Sequence, residues 1–182
     1  MYGGHFPPFG HAGVVAAPPL SFFDAEDREI SIRLYGDGPI DDEYEALVEL
    51  YLDYDPSHRS LGLPPRSESA IRRWQDVLLA GHCVLAWHEN ELVGQAALVE
   101  TGEDECELIV FLHQDYHGAG IGTRLMEALL SYARDQGISR VWLLVERDNR
   151  PAVNLYTDVG FIVSEDAGPD VEMAVAIDPV PA

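Results

Sequence analysis

A chain of 182 residues with 47% hydrophobic content has the size and composition of one soluble domain with flanking tails. Its charge is unusual: 32 acidic residues stand against 11 basic ones, all of them Arg, for a net charge of −21. That balance excludes the basic patch on which nucleic acid or an anionic membrane surface would dock, and no apolar run approaches the roughly 18 residues of a membrane span.

From the N-terminus, Met1 to Pro19 mixes Gly, Pro, His and Ala without the basic start of a signal peptide. Residues 1–27 are expected to form a disordered tail, and His5 and His11 within it make no metal site. Arg28 to Tyr35 alternates apolar and polar residues and predicts a first strand. From Asp41 to Asp53, Tyr44, Leu47, Val48, Tyr51 and Leu52 share a helical face, with Asp41 or Asp42 as the expected cap. A loop with Pro56, Gly62, Pro64 and Pro65 leads to a second helix, capped by Ser67, striped by Ile71, Trp74, Val77 and Leu78, and stopped by Gly81.

The period then changes to two. Cys83 to His88, Leu92 to Glu100 and Glu105 to Leu112 read as three strands joined by short turns, which favours an antiparallel meander. Cys83 and Cys106 lie in these apolar runs without CxxC spacing and read as buried thiols. Next comes His117-Gly118-Ala119-Gly120-Ile121-Gly122-Thr123, followed by a helix from Thr123 to Gln136 that Gly137 stops. Glycines at a strand-to-helix turn let the backbone approach a ligand, and the helix start aims unpaired N–H groups and a positive dipole end into it. Such a turn suits a phosphate or pyrophosphate.

Val141 to Val145 is a continuous apolar strand, as where both sheet faces are covered. A short helix from about Pro151 to Val159 and strands Phe161 to Ser164 and Val171 to Ile177 follow. The passage from the Glu105 strand through the glycine turn to the Val141 strand is a right-handed βαβ crossover. The fold class is therefore α/β (α+β mixed). It is a mainly antiparallel sheet of about seven strands, with about four helices and one parallel crossover.

That element order and two motifs resemble the GNAT superfamily of acyl-CoA-dependent N-acetyltransferases. The family's pyrophosphate turn has Gln or Arg, two variable residues, Gly, one variable residue, then Gly or Ala. Here those slots read His117, Gly118, Ala119, Gly120, Ile121 and Gly122. The segment Asn149 to Phe161 matches the family's Asn-x-x-Ala-x-x-x-Tyr-x-x-x-Gly-Phe, through Asn149, Ala152, Tyr156, Gly160 and Phe161. The likeness covers roughly Arg28 to Ile177, so that 28–177 is the expected domain and 178–182 a C-terminal tail. One slot departs: His117 stands where the family has Gln or Arg. A dinucleotide-binding reading fits less well, since Thr123 stands where the third glycine or alanine belongs and the turn follows a late strand.

The resemblance implies a division of labour. The pantetheine arm of acetyl-CoA would pair with backbone groups of Phe111, Leu112 and His113, where the fourth predicted strand splays from the fifth. The pyrophosphate would rest on His117, Gly118, Ala119, Gly120, Ile121, Gly122 and Thr123, with Arg124 beside it. Tyr156 would protonate the departing thiolate, and Asn149 would bond the cofactor arm or cap its helix. Glu107 is the nearest match to the family's acidic base, with Glu100 as runner-up, and His113 and His117 lie close enough to titrate usefully.

The implied activity is transfer of an acetyl group from acetyl-CoA to a primary amine, with no metal, no nucleic acid and no membrane, and with room for a homodimer. Polyamines, aminoglycosides and Lys side chains suit the acidic surface. The alternatives are a non-catalytic acyl-CoA sensor and a phosphate or nucleotide-binding module. The lack of Lys and the high acidity read as a halophile's cytoplasmic protein, because molar salt shortens the Debye length to about 3 Å and removes the self-repulsion. Hyperthermophiles tend instead towards Lys and Glu.

Overall fold

The computed structural model describes residues 17–177. Residues 1–16 of the expected N-terminal tail (1–27), with His5 and His11, and the expected C-terminal tail 178–182 lie outside the described residues. Eight strands form one sheet: β1 Leu20–Phe23, β2 Glu29–Leu34, β3 His82–His88, β4 Glu91–Gly102, β5 Glu105–Leu112, β6 Arg140–Glu146, β7 Ile162–Ala167 and β8 Asp170–Ala176. Their order is β1-β2-β3-β4-β5-β6-β8-β7, and every neighbouring pair is antiparallel except β5 with β6. The helices are α1 Ile40–Leu52, α2 Glu68–Leu78, α3 Ile121–Asp135 and α4 Arg150–Val159.

The sheet carries a core on each face. On one side α3 places Leu125, Met126, Leu129 and Leu130 against Val84, Val93, Leu98, Leu108 and Val141, with Leu155 and Tyr156 of α4 at the margin. On the other side Leu47, Val48 and Tyr51 of α1 and Ile71 and Leu78 of α2 pack on Leu85 and Ala97. β5 divides these layers by alternation: Cys106, Leu108, Val110 and Leu112 join the α3 layer, whereas Ile109 and Phe111 join the α1/α2 layer.

Three expectations change. β1 adds an eighth strand inside the segment expected to be a tail, because Leu20–Phe23 pairs in register with Glu29–Ile32 of β2. A four-residue strand shows too little alternation to stand out in the sequence. Neither Asp41 nor Asp42 caps α1. The cap residue is Pro39 with no side-chain bond, and the buried Glu43 instead accepts from the Gly36 and Gly38 N–H groups at 3.1 Å each. Finally, α3 begins at Ile121, two residues before Thr123, because Gly120 takes a left-handed conformation (φ +86°) as its cap.

Other signals hold. Ser67 accepts from the Ala70 N–H at 3.3 Å to cap α2, and Gly137 (φ +78°) ends α3. Gly81 is required by close approach, since a Cβ there would lie 2.0 Å from the Leu98 carbonyl oxygen. Cys83 and Cys106 are buried free thiols, and burial pushes them up to about 12 and about 11, which keeps them protonated and unreactive.

Candidate functional site

The site begins where the parallel pairing stops. β5 and β6 are registered only from Glu105 opposite Arg140 to Glu107 opposite Trp142, and β5 then runs on to Leu112 without a β6 partner. The His113 N–H donates to the Val93 carbonyl at 2.8 Å. Because antiparallel bonding alternates, His113, Phe111 and Ile109 aim their backbone groups at β4, and Leu112 and Val110 aim theirs into the gap beside β6.

This changes the set expected to meet an extended ligand. Leu112 faces the gap and Val110 joins it. Phe111 contributes its ring on the α1/α2 face instead. The backbone groups of His113 are engaged, since its carbonyl accepts from the Tyr116 N–H at 2.9 Å. Its imidazole is engaged too. Nδ1 accepts from the Asp115 N–H at 3.2 Å, so Nε2 carries the proton and donates to Asp53 Oδ2 at 2.7 Å. His113 therefore pins the end of α1 to the end of β5.

Beyond β5 lies the glycine turn. Gly118 (φ +75°) and Gly120 (φ +86°) occupy left-handed conformations, and a Cβ on either would meet nothing within 4 Å. α3 has no side-chain cap, so its first N–H groups face that open space unpaired by a side chain. Gly122 serves packing instead, since its Cα side abuts α4, where a Cβ would lie 3.4 Å from Leu155 Cδ2. Ile121 is fully buried beneath, and Ala119 is nearly so.

The turn is braced from behind by residues that no sequence motif singles out. The Ala25 N–H donates to the Ala119 carbonyl at 3.1 Å. Asp24, buried, accepts from the Glu26 and Arg28 N–H groups and from Arg28 Nε at 2.7 Å, while Arg28 lies over the Tyr116 ring at 4.3 Å. Burial opposes ionisation of Asp24, but the bonds from Arg28 and Glu26 outweigh it and lower its pKa. Arg124 leans over the Phe22 ring at 5.3 Å.

His117 heads the turn. A carbonyl only accepts, so its Nε2 must donate to the Leu112 oxygen, 2.7 Å away. The imidazole thus ties the turn to the last gap-facing carbonyl of β5. Its ring is packed edge-on by His58 at 4.9 Å, from the loop between α1 and α2. That loop also reaches the other lip of the gap, where the Leu61 N–H donates to Glu146 Oε1 at 3.3 Å.

Tyr156 stands on α4 at the margin of the α3 layer, half-buried. Burial pushes its phenol up to about 12, and the neighbouring Tyr54 phenol adds to the rise, so it holds its proton throughout the neutral range. Tyr54 is also pushed up to about 12 by burial. Asn149 caps α4 through Oδ1, which accepts from the Ala152 N–H at 3.4 Å.

Of the acids, Glu107 is half-buried at the last registered β5–β6 pair, and burial raises its pKa. Glu105, two residues back on the same face, is held by Arg140 at 2.6 Å. Glu100 pairs across the sheet with Cys106 and so belongs to the opposite face from Glu107. Among the described residues no cluster of three or more His, Cys, Asp or Glu could hold a metal ion, and no helix is long and apolar enough to cross a membrane.

The sequence and the fold have known counterparts. Residues 44–161 match the family model described as acetyltransferase (GNAT) family. An uncharacterized N-acetyltransferase of Mycobacterium tuberculosis is 36% identical over 80 residues, which is 43% of this chain and 51% of that protein. The chain thus spans about half the length of that relative. An L-amino acid N-acyltransferase of Escherichia coli is 30% identical over 104 residues, 54% of this chain and 60% of that protein. Among solved structures, a putative acetyltransferase from Salmonella typhimurium with its cofactor acetyl-CoA superposes with a TM-score of 0.64 at 18% identity, covering 84% of this chain and 96% of that one.

Proposed function

The chain belongs to the GNAT acetyltransferase family, and on that premise we propose that it transfers an acetyl group from acetyl-CoA to a primary amine by direct attack in a ternary complex. The observation that carries this reading is the interrupted β5–β6 pairing. Beyond Glu107 the strand offers the Val110 backbone groups and the Leu112 N–H to a ligand, the Leu112 carbonyl being held by His117, directly before a glycine turn whose open side a Cβ would not fill. The residues fit acetyl-CoA: an extended pantetheine arm adds to the free strand edge, and the pyrophosphate meets the α3 N-terminus.

The cofactor contacts are Leu112 and Val110 along the arm and Gly118 to Thr123 around the pyrophosphate. His117 holds the junction between them, and Asn149, whose Oδ1 caps α4, would bond the arm through its amide nitrogen. The acceptor arrives as an ammonium ion and loses one proton, through water, to Glu107, whose raised pKa makes it a better base than an exposed carboxylate. The amine lone pair then forms a C–N bond to the thioester carbon. Collapse of the adduct breaks the C–S bond, Tyr156 delivers a proton to the departing thiolate, and the second proton of the amine nitrogen, passed through water, restores the phenol. The products are an amide and CoA thiol.

Two features of the setting belong to the same reading. The composition supports a cytoplasmic protein of a halophile, with long-range repulsion screened by salt. The domain runs from Leu20 to Ile177, since β1 completes the sheet; a homodimer is compatible with it.

Tyr156→Phe tests the mechanism. It is expected to lower kcat about 10²-fold, with the KM for acetyl-CoA unchanged. Unchanged turnover across pH and across several amines would remove Tyr156 from the chemistry.

A further inference from the structure

The α1/α2 side of the gap carries a wall of aromatic rings. Tyr54, Trp74 and Phe111 come from the end of α1, from α2 and from β5, and each is half-exposed. Phe111 meets the Tyr54 ring at 5.7 Å and the Trp74 ring at 5.5 Å, both edge-on. Behind them the buried Tyr51 touches all three, at 6.4 Å to Tyr54, 4.9 Å to Trp74 and 5.9 Å to Phe111. Its hydroxyl donates to Gln95 Oε1 at 2.7 Å, and Gln95 and Gln75 bond each other through both amide groups, at 3.1 and 2.8 Å. The wall is therefore set before any ligand arrives, which limits the ordering a ligand must impose.

Its place follows from the strand. Phe111 and Glu107 lie on the same face of β5, four residues apart, and the Tyr54 phenol is close enough to Tyr156 to help raise its pKa. Glu107 and Glu146 bound the gap, while three arginines of the surrounding elements bond the protein's own groups. Arg59 donates to the Gly62 and Pro64 carbonyls, Arg72 pairs with Glu45 and Glu68, and Arg140 pairs with Glu105 and Glu172. A carboxylate on the acceptor would find acids and rings.

From this juxtaposition, and resting on the acetyltransferase reading above, we infer that the acceptor is an uncharged-bodied aromatic monoamine that stacks on Tyr54, Trp74 and Phe111 and turns its ammonium towards Glu107. The rings supply apolar and stacking contact for the aromatic body, and the carboxylate takes the proton that must leave. A polyamine would leave its distal charges on apolar ring surface. An α-amino acid would bring its carboxylate towards Glu107 and Glu146.

The test is a thiol-release assay in molar KCl with saturating acetyl-CoA and four amines: 2-phenylethylamine, n-butylamine, spermidine and L-phenylalanine. The kcat/KM for 2-phenylethylamine should exceed that for butylamine and spermidine about tenfold, and that for L-phenylalanine about a hundredfold. Trp74→Leu should shrink the preference over butylamine to within about threefold and leave the titrated affinity for acetyl-CoA unchanged. Equal or better use of any of the other three amines overturns the inference, as does saturable acetyl-CoA binding with none of the four acetylated. Absence of acetyl-CoA binding would instead overturn the underlying transferase assignment.

Discussion

Glu107 concentrates the chemistry at the scale of single residues, because the property that suits it to take a proton also burdens the fold. Burial raises its pKa in the folded state above the unfolded value. The folded chain therefore holds that proton more tightly, and stability is lost as pH rises through the folded value. Glu107→Gln should raise the melting temperature at pH 7 and leave it unchanged below the ordinary carboxylate range. The same variant should lose about 10²-fold in kcat/KM and flatten its acid limb. A variant that is less stable at neutral pH yet fully active would place Glu107 among structural groups. That it shares a face with Glu105, opposite Cys106, Leu108 and Val110, was legible from alternation alone; that α1 and α2 cover that face was not. The roles of Phe111 and His113 were not: which backbone groups face the gap depends on register, and register is set by Val93, about twenty residues away.

Elements show the same division. The glycine turn, the meander and the crossover were legible because periodicity and punctuation are local. β1 and the Asp24–Arg28 brace were not, since four residues carry little pattern and the brace exists only by contact with Ala119 and Tyr116. Within the turn the glycines divide by conformation. Gly120→Ala forces a side chain into the left-handed region, at about 1–2 kcal/mol, and puts a methyl group on the open side of the cradle. It should lower the melting temperature and weaken acetyl-CoA binding about tenfold. Gly122→Ala places its Cβ in van der Waals contact with Leu155 inside a helix, where Ala is favoured. Its melting temperature should match or exceed that of the parent. Thermal melts and titrations on the two variants check the contrast, and equal losses in both would contradict it.

Across the whole molecule, a net charge of −21 surrounds a site suited to a polyanionic ligand. Backbone N–H groups and the helix dipole act over short distances, and salt screens the far carboxylates that would repel the ligand. The melting temperature should therefore rise between about 0.1 M and molar KCl; a flat or falling profile would contradict the halophilic reading. The site assignment is tested most directly by isothermal titration of acetyl-CoA, CoA and ATP into the protein in molar KCl. Saturable heat at one site per chain with acetyl-CoA and with CoA, and none with ATP, is the predicted result. Saturable heat with ATP and none with either coenzyme would contradict the assignment of the cleft.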